Sequence, residues 1–213
     1  MQHLLVDDIE LIVREIEDEF QKSKGLILTE DDLKCHLFRK LHDIIKNHSE
    51  FTLDNDIKAS PLHTEIKYFD ENDELLIRPD INIINTSLLS VLHSVNYEIN
   101  GKGIAFKQLT PTGKQFEFAG NSIVFELKFC RNRNGINRRH IESYKKDIEK
   151  IRKLQAISNL KNREPNLITG YVIIFNKTDI RNGEFHELYK LEDDYLKIFY
   201  ATGNVEFPTR SEA

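Results

Sequence analysis

The chain has 213 residues, 39 % of them apolar and 31 % charged, with no Trp and with 30 Lys+Arg against 35 Asp+Glu for a net charge of −5. That length suits one domain with a real core, and the apolar runs at residues 123–125 and 171–175 are strand-sized, far short of the roughly 20 residues that span a bilayer. Two cysteines, Cys35 and Cys130, exclude a disulfide framework or a Cys-x-x-Cys metal knuckle; Asp7, Asp8 and Glu10 break up the first apolar stretch, so no leader is expected and the expected location is the cytoplasm.

Residues 3–22 predict an amphipathic helix, because Leu5, Ile9, Ile12, Ile16 and Phe20 recur at steps of three and four with acids on the other face. Gly25 is a suitable left-handed stop. A second helix is expected from Thr29, with Asp32 three residues on in a capping-box arrangement. Its apolar stripe is Leu33, Leu37, Leu41 and Ile44/Ile45, and Glu30 lies on that same stripe. The period then changes. Residues 62–69 and 75–84 read as two strands joined by the turn chemistry of Asp70-Glu71-Asn72-Asp73, an expected hairpin. Residues 85–120, punctuated by Gly101, Gly103, Pro111, Gly113 and Gly120, read as an inserted loop with a small extra hairpin.

Residues 122–129 are the clearest strand, followed by turn residues Asn132, Asn134 and Gly135. A long helix is expected over 137–160, its buried face marked by Ile141, Tyr144, Ile148, Ile151 and Leu154. A buried strand follows at 167–175, then a short helix or strand near 187–191 and a last strand at 195–201. The expected fold class is α/β, a mixed sheet flanked by helices. The expected division is an N-terminal helix over 1–28 and a single domain over 29–213.

The acidic total argues against nucleic acid only until it is read by position. Residues 128–163 hold twelve Lys or Arg against three acids, a local balance of +9, whereas residues 1–80 hold twenty acids against ten bases. Clustered cations act through their local field rather than through net charge. Arg131, Arg133, Arg138 and Arg139, with Lys145 and Lys146 behind them, are therefore the candidate phosphate-facing residues.

Chemistry is expected where acids and a lysine share neighbouring strands. Asp80 lies in the second strand, in Arg78-Pro79-Asp80, and Glu126-Leu127-Lys128 lies mid-strand among apolar neighbours. Strand alternation puts Glu126 and Lys128 on one face and Phe125, Leu127 and Phe129 on the other. Two carboxylates suit Mg²⁺, a hard cation that prefers oxygen ligands and keeps waters, and a lysine ammonium can neutralise charge developing on a phosphoryl group. The acid-x-Lys tripeptide alone says little: about three matches arise by chance in such a composition. Asp32-Leu33-Lys34, Asp56-Ile57-Lys58 and Glu65-Ile66-Lys67 match it as well. Context singles out Glu126-Leu127-Lys128, since a charged pair inside an apolar strand is costly unless it is paired or metal-bound.

Arg78-Pro79-Asp80 followed by Glu126-Leu127-Lys128, with a helix before and a long helix after, resembles the PD-(D/E)XK nuclease superfamily over residues 30–176. Residues 144–153 resemble the helix that follows the lysine strand in uncharacterised bacterial members. The resemblance implies a restriction-endonuclease-like fold and Mg²⁺-dependent phosphodiester hydrolysis, with Mn²⁺ as a substitute ion. By that resemblance Asp80, Glu126 and the Leu127 carbonyl hold the metal, and Lys128 is the catalytic lysine. Glu30, with Asp31 and Asp32 as rivals, matches an acid on the preceding helix, and Glu65 is a further auxiliary ligand. The 46-residue connection from Asp80 to Glu126 is longer than the family's simple hairpin. DNA is the implied partner, with no membrane, and a homodimer would bring two sites to a duplex. The other class of function this scaffold supports is an inactive nuclease-fold subunit serving nucleic-acid binding or protein assembly.

Other chemistries find little footing. The eight histidines form no His-Glu-x-x-His or comparable spacing for zinc. Gly101-Lys102-Gly103 lacks the rest of a phosphate-binding loop, and no Gly-x-Ser-x-Gly occurs. His140 opens the basic helix and reads as a surface histidine.

Overall fold

A computed structural model describes residues 2–23, 25–45, 50–53, 57–70, 72, 74–100, 103–111, 117–118, 120–162, 168–178 and 185–203, with backbone alone for 2–7, 50, 92–100, 103–111, 117–118 and 161–162. Asp54, Asp56, Glu71, Asp73, Gly101, Lys102 and Gly113 lie outside the described residues. The molecule is mixed α/β. Its central sheet has five strands, β1 (Leu62–Thr64), β2 (Ile81–Ile83), β3 (Ser122–Cys130), β4 (Ile168–Asn176) and β5 (Leu196–Thr202), lying side by side in chain order. β1, β2 and β3 pair antiparallel, whereas β3, β4 and β5 are parallel. Among the described residues no helix is long and apolar enough to cross a membrane.

Helices α1 (Gln2–Lys22) and α2 (Glu30–Ile45) cover one face. Their stripes, Ile9, Ile12, Ile16 and Phe20 with Leu33, Leu37 and Leu41, pack on Phe125, Leu127, Tyr171, Ile173 and Phe175. Helix α3 (Arg138–Asn162) and the short α4 (His186–Tyr189) cover the other, through Ile141, Tyr144, Ile148, Ile151 and Leu188 against Val124, Val172, Ile174, Leu196 and Ile198. Every residue of β4 is buried, as a strand covered on both faces requires. The expected capping box closes α2: Asp32 N–H donates to Thr29 Oγ1 at 3.1 Å, and Thr29 N–H donates to Asp32 Oδ2 at 2.9 Å. At the start of α3, His140 N–H donates to Asn137 Oδ1 (3.2 Å), while His140 Nδ1 accepts from Asn137 N–H (3.1 Å). His140 thus serves as a helix cap.

The expected hairpin is present but broken in the middle of both strands. Its tip is a ribbon of Tyr68–Phe69 against Leu75–Ile77, and its base is β1 against β2. Between them one strand turns at Glu65, which has a φ of 55°, and the other at Arg78-Pro79-Asp80. Pro79 has no N–H to give a ladder, and Glu65 N–H donates to Asp80 O at 3.2 Å across the break. Buried Asn82 fixes this crossing, accepting from Tyr68 Oη at 3.2 Å and donating through Nδ2 to Pro79 O at 3.4 Å.

Residues 85–120 differ from the expected loop with a small hairpin. Leu92–Asn100 and Gly103–Pro111 form a long antiparallel ribbon. The turn-forming glycines and prolines mark its ends, while Val95, Tyr97 and Ile99 keep a strand period between them. Leu89–Ser90 pairs with Glu117–Phe118 and closes the insertion at its root.

Replacing Asn82 by Leu keeps the volume and removes its bonds to Tyr68 Oη and Pro79 O. The expected cost is about 1–3 kcal/mol, read by urea unfolding; a loss below about 0.5 kcal/mol would mean that Asn82 does not lock the crossing.

Candidate active site

Strand β3 outlasts its antiparallel neighbour. β2 pairs with it only at Ile123, Val124 and Phe125. Cys130 O accepts from Lys177 N–H on the β4 side; alternation along the strand therefore aims the backbone groups of Leu127 and Phe129 at the opposite edge, which β2 has left. Two carboxylates fill the vacated positions. Asp80 Oδ2 accepts from Leu127 N–H at 2.8 Å, and Glu30 Oε2 accepts from Phe129 N–H at 3.1 Å. Asp80 can do so because the break at Pro79 takes it out of the strand just before β2 begins, and Glu30 because the capping box starts α2 beside the edge. A strand residue presents its N–H and C=O to the same side, so the Leu127 carbonyl opens on this edge as well.

On the α3 face of β3 lie Glu126 and Lys128, joined by a 2.5 Å hydrogen bond from Lys128 Nζ to Glu126 Oε1. The same ammonium reaches Asp147 Oδ2 on α3 at 3.0 Å. The three side chains are 12 %, 16 % and 15 % exposed for Glu126, Lys128 and Asp147. Lys34 of α2 stands 3.9 Å from Asp80 and is held by Glu65 at 2.9 Å and Asp31 at 3.1 Å. Arg78 also faces Glu65, at 3.4 Å.

The carboxylates on the edge and on the α3 face titrate unusually. Burial pushes the Glu126 carboxyl up to about 7, with the charge of Asp80 adding to the shift and Lys128 opposing it. Burial likewise raises Glu30 and Asp80, against the pull of Phe129 N–H and of Leu127 N–H respectively and of Lys128 on both. Lys128 is held protonated: burial disfavours its charge, but Glu126 and Asp147 more than offset this. Asp147 ends below its ordinary range, since Lys128 and Lys150 outweigh its burial. Negative charge is thus concentrated here, and three of the four acids hold it reluctantly.

The structure brings together Asp80, Glu126, Lys128, the Leu127 carbonyl and Glu30. Glu65 lies beyond Lys34, with its carboxylate already shared by two cations. Asp32 is consumed by the capping box and Asp31 is exposed. Lys34 and Asp147 were not singled out from sequence. Lys34 belonged to a chance acid-x-Lys match. Asp147 read as one of few acids in a basic segment, although it falls three residues after Tyr144 and one before Ile148, on the margin of the buried stripe. Of the basic residues, Arg138 pairs with Glu142 (3.2 Å) and Lys145 with Glu187 (2.8 Å). Exposed Arg131, Arg133, Arg139 and Lys146 meet no carboxylate among the described residues. Arg131 precedes, and Arg133 lies within, a turn set by Gly135 N–H donating to Asn132 O at 2.9 Å.

No family model, curated protein or solved structure matches the chain. The donors on the β3 edge are all oxygens, which suits a hard divalent cation held through one or two carboxylates with water completing the shell. Among the described residues no three His, Cys, Asp or Glu side chains form a ready-made ligand cage.

Glu126 carries a sign that can be tested. Its folded pKa is raised above the ordinary 4.5 to about 7, so the folded state binds the extra proton and gains stability below 4.5 that is lost as pH rises through about 7. In chelator, Glu126→Gln should therefore gain stability relative to wild type as pH climbs across that window, and level off above it. Thermal melts of both proteins from pH 4.5 to 8.5 check this; a difference independent of pH would show that Glu126 is not strained by burial.

Proposed function

We propose that the protein is a metal-dependent nuclease of the PD-(D/E)XK kind that hydrolyses phosphodiester bonds in DNA. One observation carries the reading. Asp80 is bonded to the backbone N–H of Leu127, the residue between Glu126 and Lys128, 47 residues away in sequence. That contact sets Asp80 beside the Leu127 backbone on one strand edge, with Glu126 and Lys128 on the adjoining α3 face, and so supports the arrangement implied by the resemblance.

Asp80, Glu126 and the Leu127 carbonyl are the residues to hold Mg²⁺ or Mn²⁺, with Glu30 at the flank. A bound divalent ion would supply Lewis-acid polarisation of a phosphoryl oxygen and a lowered pKa for a bound water. It would also favour the charged forms of Glu30, Asp80 and Glu126, which burial disfavours. Lys128 contributes a fixed positive charge beside the reacting phosphate, where its ammonium stabilises the oxyanion that develops. Arg131, Arg133, Arg139 and Lys146 supply cations for the DNA backbone on the loop and helix that follow Lys128. The apolar packing on both faces of β3 fixes the strand that carries these groups, so its backbone needs little reorganisation during reaction.

Purified protein incubated with plasmid and Mg²⁺ or Mn²⁺ should nick or linearise it. Asp80→Ala and Lys128→Met should lower the rate by about 10²-fold or more. Cleavage that survives Asp80→Ala, or that is absent with both ions, rejects the enzyme. Arg131→Ala and Arg133→Ala should weaken DNA binding and flatten its log–log salt dependence by about one unit for each phosphate that is no longer neutralised. An unchanged salt slope removes those residues from the interface.

A further inference from the structure

Lys128 presents a difficulty that the proposed metal site must overcome. Its ammonium is bonded to Glu126 Oε1, one of the oxygens a cation would need. A lysine with a single carboxylate partner in a buried place would compete with the ion outright, and stripping that partner away would leave an unpaired buried charge, a change that costs several kcal/mol in general. The structure holds a second acceptor in reserve. Asp147 projects from α3 to within 3.0 Å of the same Nζ, and it is nearly as buried as Glu126. Its two oxygens are divided: Oδ2 faces Lys128, while Oδ1 takes Lys150 at 3.0 Å. It therefore stays in place whichever way Lys128 leans. Neighbouring Ile148 and Ile151 anchor this turn of α3 in the core.

We propose that Asp147 is a positioning residue that receives the Lys128 ammonium when Glu126 turns to a divalent cation, so that the lysine exchanges between two carboxylates instead of blocking the metal. The inference rests on the nuclease reading of the site, and it adds a residue to which that reading gave no role. It explains why an acid sits on the inner margin of an otherwise basic helix. It also assigns Lys128 two states, both paired: one shared between Glu126 and Asp147, and one held by Asp147 alone. The second state leaves the ammonium charged and on the α3 face, beside the edge where Asp80 and the Leu127 carbonyl open.

The test reads ion binding, without substrate. Mn²⁺ is titrated calorimetrically into wild type, Asp147→Asn, Lys128→Met and the double variant, each checked for folding by circular dichroism. Asp147→Asn leaves Lys128 only Glu126, so Mn²⁺ affinity should fall by about tenfold, equivalent to about 1.4 kcal/mol. In the Lys128→Met background no ammonium has to move, and the same Asp147→Asn change should alter affinity by less than about twofold. Asp147→Glu, which keeps the charge, should bind as wild type does. Should Asp147→Asn fail to fold, Asp147→Ser replaces it and is read in the same way. Weakening of equal size in both backgrounds would assign Asp147 to the general negative field and overturn the exchange. Unchanged affinity in Asp147→Asn overturns it too, while leaving the metal site standing. Wild type that takes up no Mn²⁺ overturns the exchange together with the metal reading beneath it.

Discussion

At Leu127 the antiparallel neighbour of β3 has ended, yet the strand runs on into the core, and its N–H still needs an acceptor. Leaving such a group unpaired would cost about 1–3 kcal/mol. Asp80 Oδ2 fills the position at 2.8 Å, and Glu30 does the same for Phe129 one step further on. Side-chain carboxylates have taken over a ladder that backbone carbonyls began. Much else follows from this substitution. Acids are drawn to the edge by hydrogen bonding, and their desolvation there raises their pKa values. The pairing of the edge and the raised pKa values of its acids therefore have a common origin.

The same constraint accounts for the local irregularities around it. Asp80 can reach Leu127 only because β2 starts after Pro79 and the facing strand turns at Glu65. A left-handed φ on a non-glycine residue is uncommon and costs about 1 kcal/mol or more. It is held here by the Glu65 N–H bond to Asp80 O, by the ion pairs of Glu65 with Lys34 and Arg78, and by the buried Asn82 nearby. The break is thus over-determined by its surroundings, as a strained backbone position has to be in order to persist.

The helices, the sheet strands and the capping box at Thr29 were legible in the sequence, because each announces itself through a repeated period or a fixed offset. Glu126 and Lys128 were legible by context, as charges set into an apolar strand. Asp80 was recognised for its place beside Pro79, but not for the strand break. Residues 75–84 keep a strand-like composition straight through it, and only the facing Glu65 shows where the ladder stops. Lys34 and Asp147 were hidden for a different reason. Each sits on a helix rich in charge, and which of many charges turns inward depends on the rotation of that helix against the sheet, a tertiary quantity. The ribbon at 92–111 was underestimated because glycine and proline at its ends outweighed the β-branched and aromatic alternation between them.

The insertion leaves and re-enters the domain through the pairing of Leu89–Ser90 with Glu117–Phe118, and Leu53 N–H donates to Leu89 O at 3.0 Å to fasten that root. The entropy of closing a longer or shorter loop on such a root changes only slowly with length. A longer or shorter ribbon would therefore change the closure cost little and leave the register of Asp80 against Leu127 to the strands that flank the insertion.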